Sequence, residues 1–164
     1  MNRIKLETMH QTDLPQVVGI ANRLNLGFWQ MVDYKEELER KDSYLLTAKR
    51  CQTVIGFMVV RLMLANSNDQ SICSEADIIN FGVLENYQRK GIGSLLLDKF
   101  LNNAGKLKIK TIWLEVRESN TVAQNFYHLN GFVQVQKRKN FYTRPSEDAL
   151  VMRLELTDVL KISN

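Results

Sequence analysis

The sequence predicts one mixed α+β domain, and three observations carry that reading. Its 164 residues suit one well-packed core better than two. Stretches with helical apolar spacing interleave along the chain with stretches that alternate as strands do. The composition, 45% hydrophobic and 24% charged with 2 prolines and 8 glycines, excludes a disordered, collagen-like or low-complexity chain. A single domain over 1–164 is therefore expected, and the chain shows no internal repeat.

The elements run in order from the N-terminus. Ile4 to Glu7 alternates as a short strand. Thr12-Asp13-Leu14-Pro15 then supplies an N-cap, an acidic first-turn residue and an early proline, predicting a helix with Leu14, Val17, Val18, Ala21 and Leu24 on one face. Tyr34 to Arg40 predicts a second, short helix. Tyr44 to Lys49 and Val54 to Leu64 read as a hairpin around the polar Arg50-Cys51-Gln52 turn. The Asn-, Ser- and Asp-rich stretch Ala65 to Ser74 reads as a long loop inside the domain. A strand over Glu75 to Val83 leads to a helix over Gly91 to Ala104, which buries Leu96, Leu97, Phe100, Leu101 and Ala104. Thr111 to Val116 predicts a strand and Asn120 to Asn130 a helix, which presents Val122, Ala123, Phe126 and Leu129 and is ended by Gly131. Phe132 to Lys139 and Ala149 to Leu156 complete the chain as two strands.

Several function classes are excluded by composition and pattern. No run approaches the roughly 18 apolar residues of a membrane span, and Met1 to His10 is unlike a signal peptide, so a cytoplasmic protein without membrane contact is expected. Cys51 and Cys73 stand apart, and His10 and His128 are isolated, so neither a disulfide framework nor a metal site is indicated. The net charge of +4 is a mild basic bias. Lys106, Lys108 and Lys110 read as a solvated approach to a strand. The run Lys137-Arg138-Lys139 reads as surface, too short and too poor in interleaved aromatics to argue for direct nucleic-acid binding.

The most informative segment is Gln88-Arg89-Lys90-Gly91-Ile92-Gly93-Ser94, lying between an apolar strand and an amphipathic helix. The first N–H groups of a helix lack intrahelical partners, glycines admit phosphate oxygens to the backbone, and the helix dipole favours their charge. Arg89 and Lys90 add positive charge. A plain strand-to-helix turn is the alternative for so short a motif. A dinucleotide fingerprint starting at Gly91 would need glycine or alanine where Leu96 stands, and the Gly-Lys-Ser/Thr of a P-loop is missing.

Gln88, Arg89, Gly91 and Gly93 match the Gln/Arg-x-x-Gly-x-Gly/Ala signature of the GNAT N-acetyltransferase superfamily, and the likeness continues along the chain. Ile78 to Val83, Asn86 to Gly93, Ile112-Trp113-Leu114-Glu115-Val116-Arg117, Ser119-Asn120, Asn125 to Phe132, Asn140-Phe141-Tyr142 and Glu147-Asp148-Ala149 occur in family order. Together they resemble the bacterial ribosomal-protein-alanine N-acetyltransferases (RimI type). Lys108 departs from the pattern, replacing a glycine often found at that turn, and the N-terminal third matches loosely.

The resemblance implies a GNAT fold: a twisted, mixed, mostly antiparallel sheet flanked by helices and splayed where acetyl-coenzyme A (acetyl-CoA) binds. It implies acetyl-CoA as cosubstrate, with the pyrophosphate on the loop of Arg89, Lys90, Gly91, Ile92, Gly93 and Ser94; no metal is expected, as the isolated histidines already indicate. The pantetheine arm would lie along Phe81, Gly82 and Val83, where a bulge is expected and Gly82 would ease it, and would also meet Asn120, a residue equally suited to cap its helix. Alternation puts Glu115 on one strand face with Thr111 and Trp113, opposite Ile112, Leu114 and Val116. There it is either solvent-facing or a desolvated carboxylate suited to general-base work. The resemblance implies the base. It likewise implies that Tyr127, otherwise a packing residue beside Phe126, gives a proton to the leaving sulfur. With no cysteine in these motifs, direct attack in a ternary complex is expected. The implied acceptor is a protein N-terminal α-amine, the alanine of a small-subunit ribosomal protein. Its neutral form costs about 3 kcal/mol less than that of a lysine at pH 7. A small-amine acetyltransferase or a non-catalytic CoA-binding module are the rival readings.

Overall fold

The computed structural model describes residues 3–64 and 73–156. The main elements are β1 (Ile4–Thr8), α1 (Leu14–Arg23), α2 (Met31–Glu39), β2 (Ser43–Arg50), β3 (Thr53–Leu64), β4 (Cys73–Val83), α3 (Ile92–Ala104), β5 (Thr111–Arg117), α4 (Thr121–Leu129), β6 (Val133–Thr143) and β7 (Ser146–Glu155). The strands are ordered β1-β2-β3-β4-β5-β7-β6 in a seven-stranded sheet, the mixed α+β architecture expected. Residues 65–72 of the loop expected over Ala65–Ser74 lie outside the described residues, while Cys73 and Ser74 already belong to β4. The chain forms two compact units: Met1–Leu62 with Ile79–Lys106, and Met63–Ile78 with Leu107–Asn164.

In the first unit β1, β2 and β3 form an antiparallel meander, with β1–β2 register Ile4 to Arg50 through Thr8 to Leu46 and a break in the β2–β3 ladder at Ala48/Lys49. Leu14, Val17, Ile20 and Ala21 of α1 pack with Tyr34, Phe57 and Val59 into one buried cluster. The start of α1 differs from expectation. Thr12 lies in a 3-10 turn, Gln11–Asp13, and Asp13 is the N-cap residue of α1, its carboxylate turned back to accept the His10 N–H at 2.9 Å and so close the 3-10 turn. Asp13 is itself buried and held by Lys49 Nζ at 2.8 Å, a paired charge in an otherwise apolar setting. The second helix begins three residues before the predicted Tyr34, because the Asp33 carboxylate accepts the Gln30 N–H at 2.6 Å and so fixes the first turn. Buried Tyr34 accepts a hydrogen bond from Asn80 Nδ2 at 3.0 Å, and burial pushes its phenol well above the ordinary tyrosine range. In α3, Leu96, Leu97, Phe100 and Ala104 are buried as predicted, and Leu101 half-buried.

In the second unit β4 pairs with β5 in parallel, Glu75–Ile78 opposite Thr111–Leu114, and β7 lies antiparallel between β5 and β6. Along β5, Ile112, Leu114 and Val116 are buried and the intervening residues are not, the alternation expected. Lys108, at the turn before β5, takes the left-handed conformation (φ 55), which glycine enters without the strain a side chain brings. β6 runs past its predicted end at Lys139 and β7 starts before its predicted first residue Ala149, so the two form a long hairpin with Thr143 paired to Ser146. The predicted apolar face of α4 is corrected: Val122 is 65% and Leu129 89% exposed, and Tyr127 is the buried residue. The four predicted residues do share one helical stripe, but the face that packs is turned from it toward Tyr127, with Ala123, Gln124 and Phe126 half-buried.

Candidate active site

The glycine segment begins where β4 ends. Gln88 Nε2 donates to the Val83 carbonyl at 2.9 Å, and the Leu84 N–H donates to Ile55 O at 2.9 Å, so the strand end and the loop are pinned together. Arg89 (φ 55) and Gly91 (φ 80) both adopt the left-handed conformation, and Gly91 is the N-cap of α3. Two left-handed residues so close turn the chain sharply and aim the Ile92, Gly93 and Ser94 N–H groups, which have no acceptor four residues back, out of the helix end. A Cβ placed on Gly91 would meet nothing within 4 Å. Arg89 and Lys90 are exposed beside this open spot. Ile92 is 2% exposed, so its side chain belongs to the core and only its N–H reaches the loop surface. The arrangement is a cationic helix terminus with open N–H groups, a geometry suited to an anion.

Gly82 lies where β4 is closely packed. A Cβ there would fall 2.7 Å from Leu26 Cδ1 and 3.2 Å from Phe57 Cε1, so close packing under β4 excludes a side chain. Phe81 and Val83 flank it on the half-exposed face.

In the second unit Thr111–Leu114 have ladder partners on β4 and β7, while Glu115, Val116 and Arg117 pair with β7 at Val151, Leu150 and Ala149. Glu115 lines a cleft of about 280 Å³ with Glu75, Asp77, Trp113, Gln136 and Arg138. Its Oε1 accepts from Arg138 Nη1 at 2.5 Å, and the two side chains are 27% and 49% exposed. The base candidate is thus a half-exposed carboxylate with a guanidinium partner, in place of a desolvated one in apolar surroundings.

Tyr127 is 8% exposed, with its ring 5.4 Å from that of Phe126 and 5.5 Å from that of Phe132. The end of α4 fixes it. The Phe132 N–H bonds to Tyr127 O and the Gly131 N–H to His128 O, both at 3.0 Å, around Gly131 at φ 87, which is a Schellman motif with its apolar contact made by the two rings. Burial, with a further contribution from Tyr142, pushes the Tyr127 phenol well above its ordinary value, so it carries its proton at neutral pH. Burial likewise raises Tyr142, opposed by Arg117, whose guanidinium lies 4.0 Å from the ring centroid, and reinforced by Glu115 and Glu147. At the start of α4, Asn120 Oδ1 accepts the Ala123 N–H at 3.1 Å, the capping role expected.

A family model described as "Acetyltransferase (GNAT) family" matches residues 11–132. The chain belongs to the GNAT acetyltransferase family. It is accordingly an acetyl-CoA-dependent N-acetyltransferase. The [Ribosomal protein bS18]-alanine N-acetyltransferase of Escherichia coli is 30% identical over 155 residues, covering 93% of this chain and 97% of its own. That of Haemophilus influenzae is 43% identical over 143 residues, covering 85% and 90%. The crystal structure of the Escherichia coli ribosomal-protein-S18-alanine N-acetyltransferase superposes with a TM-score of 0.80 at 27% identity, covering 93% of this chain and 94% of that one. No helix among the described residues is long and apolar enough to cross a membrane.

Within this GNAT chain the loop residues Arg89 to Ser94 sit together in the first unit, and Glu115, Tyr127 and Asn120 lie in the second. Two residues near the candidate site escaped sequence reasoning. Tyr142 was legible only as part of the ordered motif Asn140-Phe141-Tyr142. Arg138 was hidden inside a basic run, because nothing local says which of three consecutive cations faces a carboxylate on another strand.

Proposed function

We propose that the protein transfers the acetyl group of acetyl-CoA to the N-terminal α-amine of a protein, the alanine of a small-subunit ribosomal protein. The observation that carries this reading is the likeness, over most of both chains, to enzymes named for that reaction. The cationic helix terminus fits the cosubstrate's pyrophosphate: the Ile92, Gly93 and Ser94 N–H groups and the Arg89 and Lys90 charges bind it, and Gly91 leaves the space it occupies. Phe81, Gly82 and Val83 hold the pantetheine arm, with Asn120 as a further contact.

The chemistry needs a neutral amine, and Glu115 takes its proton. The nitrogen lone pair then attacks the thioester carbonyl carbon, the C–S bond breaks as the amide forms, and the sulfur takes the Tyr127 hydroxyl proton; the second nitrogen proton, lost as the amide forms, returns through water to the Tyr127 oxygen. A phenol kept neutral by burial suits the donor, and a half-exposed carboxylate suits an acceptor that must return its proton to solvent. The test is intact-mass analysis after incubation with acetyl-CoA and a panel of alanine-starting ribosomal N-terminal peptides, the same peptides with blocked amines, and polyamines. A gain of 42 Da, about one acetyl group, on the free-amine peptides alone is expected. Modification of polyamines in preference to peptides refutes the reading.

A further inference from the structure

We infer that Arg138 is a positioning residue of the active site, holding one oxygen of Glu115 so that the other faces the acceptor's proton; this rests on Glu115 being the base. In a regular strand Gln134, Gln136 and Arg138 would share a face. The β6–β7 ladder breaks register twice, pairing Gln134 with Met152 but Gln136 with Val151, and then Arg138 with Ala149 but Tyr142 with Glu147. The first break leaves Val135 as an extra residue and reverses the faces of the residues beyond it on β6. Gln136 consequently lies in one cross-strand row with Val151 and Glu115, and Arg138 two rows on, on the same face, with Ala149 and Arg117. Without the extra residue Lys137 would stand in that row.

The second break keeps the guanidinium in place. Asn140 takes φ 50 and donates its N–H to Asp148 Oδ1 at 2.8 Å, and the Phe141 ring lies 5.3 Å from the Arg138 guanidinium. The other charged residues lining the cleft, Glu75 and Asp77 from β4, share the sign of Glu115, so Arg138 is the cation among the lining residues. From β6 and β7, Tyr142 and Glu147 complete the surroundings, with Arg117 stacked on Tyr142. Both partners of the Arg138–Glu115 pair are exposed enough that it adds little to stability. Its placement by two bulges is therefore explained by the chemistry of Glu115.

The experiment is a double-mutant cycle. Arg138→Gln and Arg138→Lys are each made in the native chain and in Glu115→Gln, and kcat and the KM for acetyl-CoA are measured with an alanine-starting peptide after thermal melting shows each variant folded. Arg138→Gln is expected to lower kcat about 10-fold, the scale of a lost charge-assisted hydrogen bond, with the KM for acetyl-CoA unchanged. Arg138→Lys restores most of the rate, and in the Glu115→Gln background either substitution changes kcat by less than about 2-fold. Equal losses in both backgrounds, or no loss in the native chain, overturn the positioning role while leaving Glu115 as the base. An undiminished rate in Glu115→Gln alone overturns the base and the positioning role together.

Discussion

Replacing Tyr127 by Phe removes one oxygen from a ring that is 8% exposed and keeps the ring contacts at 5.4 and 5.5 Å to Phe126 and Phe132. The packing that ends α4 survives, so stability at neutral pH should change by no more than about 1 kcal/mol, the net worth of one hydrogen bond. Turnover should not survive so well. Loss of a general acid typically costs about 100-fold or more, equivalent to about 2.7 kcal/mol in the barrier. Burial raises the phenol above its unfolded value near 10, so the sign of the pH effect is fixed. The unfolded chain loses this proton first, and the contribution to stability, complete below about pH 10, falls as pH rises toward the folded value. For one tyrosine held protonated the loss between pH 10 and 11 is about 1 kcal/mol. Tyr34, buried and raised in the same direction, adds a similar loss that the Tyr127→Phe variant keeps. Urea titrations at pH 10 and 11 should therefore show the variant losing about 1 kcal/mol less than the native chain over that interval. Rapid-quench measurement of the acetyl-transfer step should show the 100-fold deficit. Full kcat under conditions where chemistry limits the rate would refute the acid role, and equal alkaline losses would refute the claim that the fold holds this phenol neutral.

Gly91→Val forces a β-branched residue into φ 80 at the mouth of the anion site, so acetyl-CoA affinity should fall at least 10-fold by calorimetry, while Gly91→Asn, which tolerates that conformation, should bind more tightly than Val. Glu115→Gln should depress kcat and leave the acetyl-CoA dissociation constant within about 2-fold; an unaltered pH–rate profile would remove Glu115 from the mechanism. Gly131→Ala carries a φ of 87 and a Cβ 3.2 Å from Leu154 Cδ1, and should destabilise by about 1–2 kcal/mol in urea unfolding with kcat falling alongside, since the Schellman turn seats Tyr127.

The parts legible from the chain alone are those set by local periodicity and local backbone chemistry. Alternation along Thr111 to Val116 put Glu115 opposite Ile112 and Leu114, because successive strand residues must face opposite ways whatever else the chain does. Gly91 announced the start of α3 and Gly131 the end of α4, because these needs are met within a few residues of the glycine. The ordered motifs also pointed correctly to the family.

Tertiary structure decided what depends on a partner distant in sequence. Which stripe of α4 is buried follows from the surface beneath it, and so Tyr127 is covered where Val122 and Leu129 are not. Gly82 is a glycine because Leu26 and Phe57 leave no room, a crowding that no local pattern encodes. Glu115 gains a guanidinium because one extra residue at Val135 reverses the faces of β6, and a bulge depends on the ladder between two strands, which neither strand's sequence displays by itself.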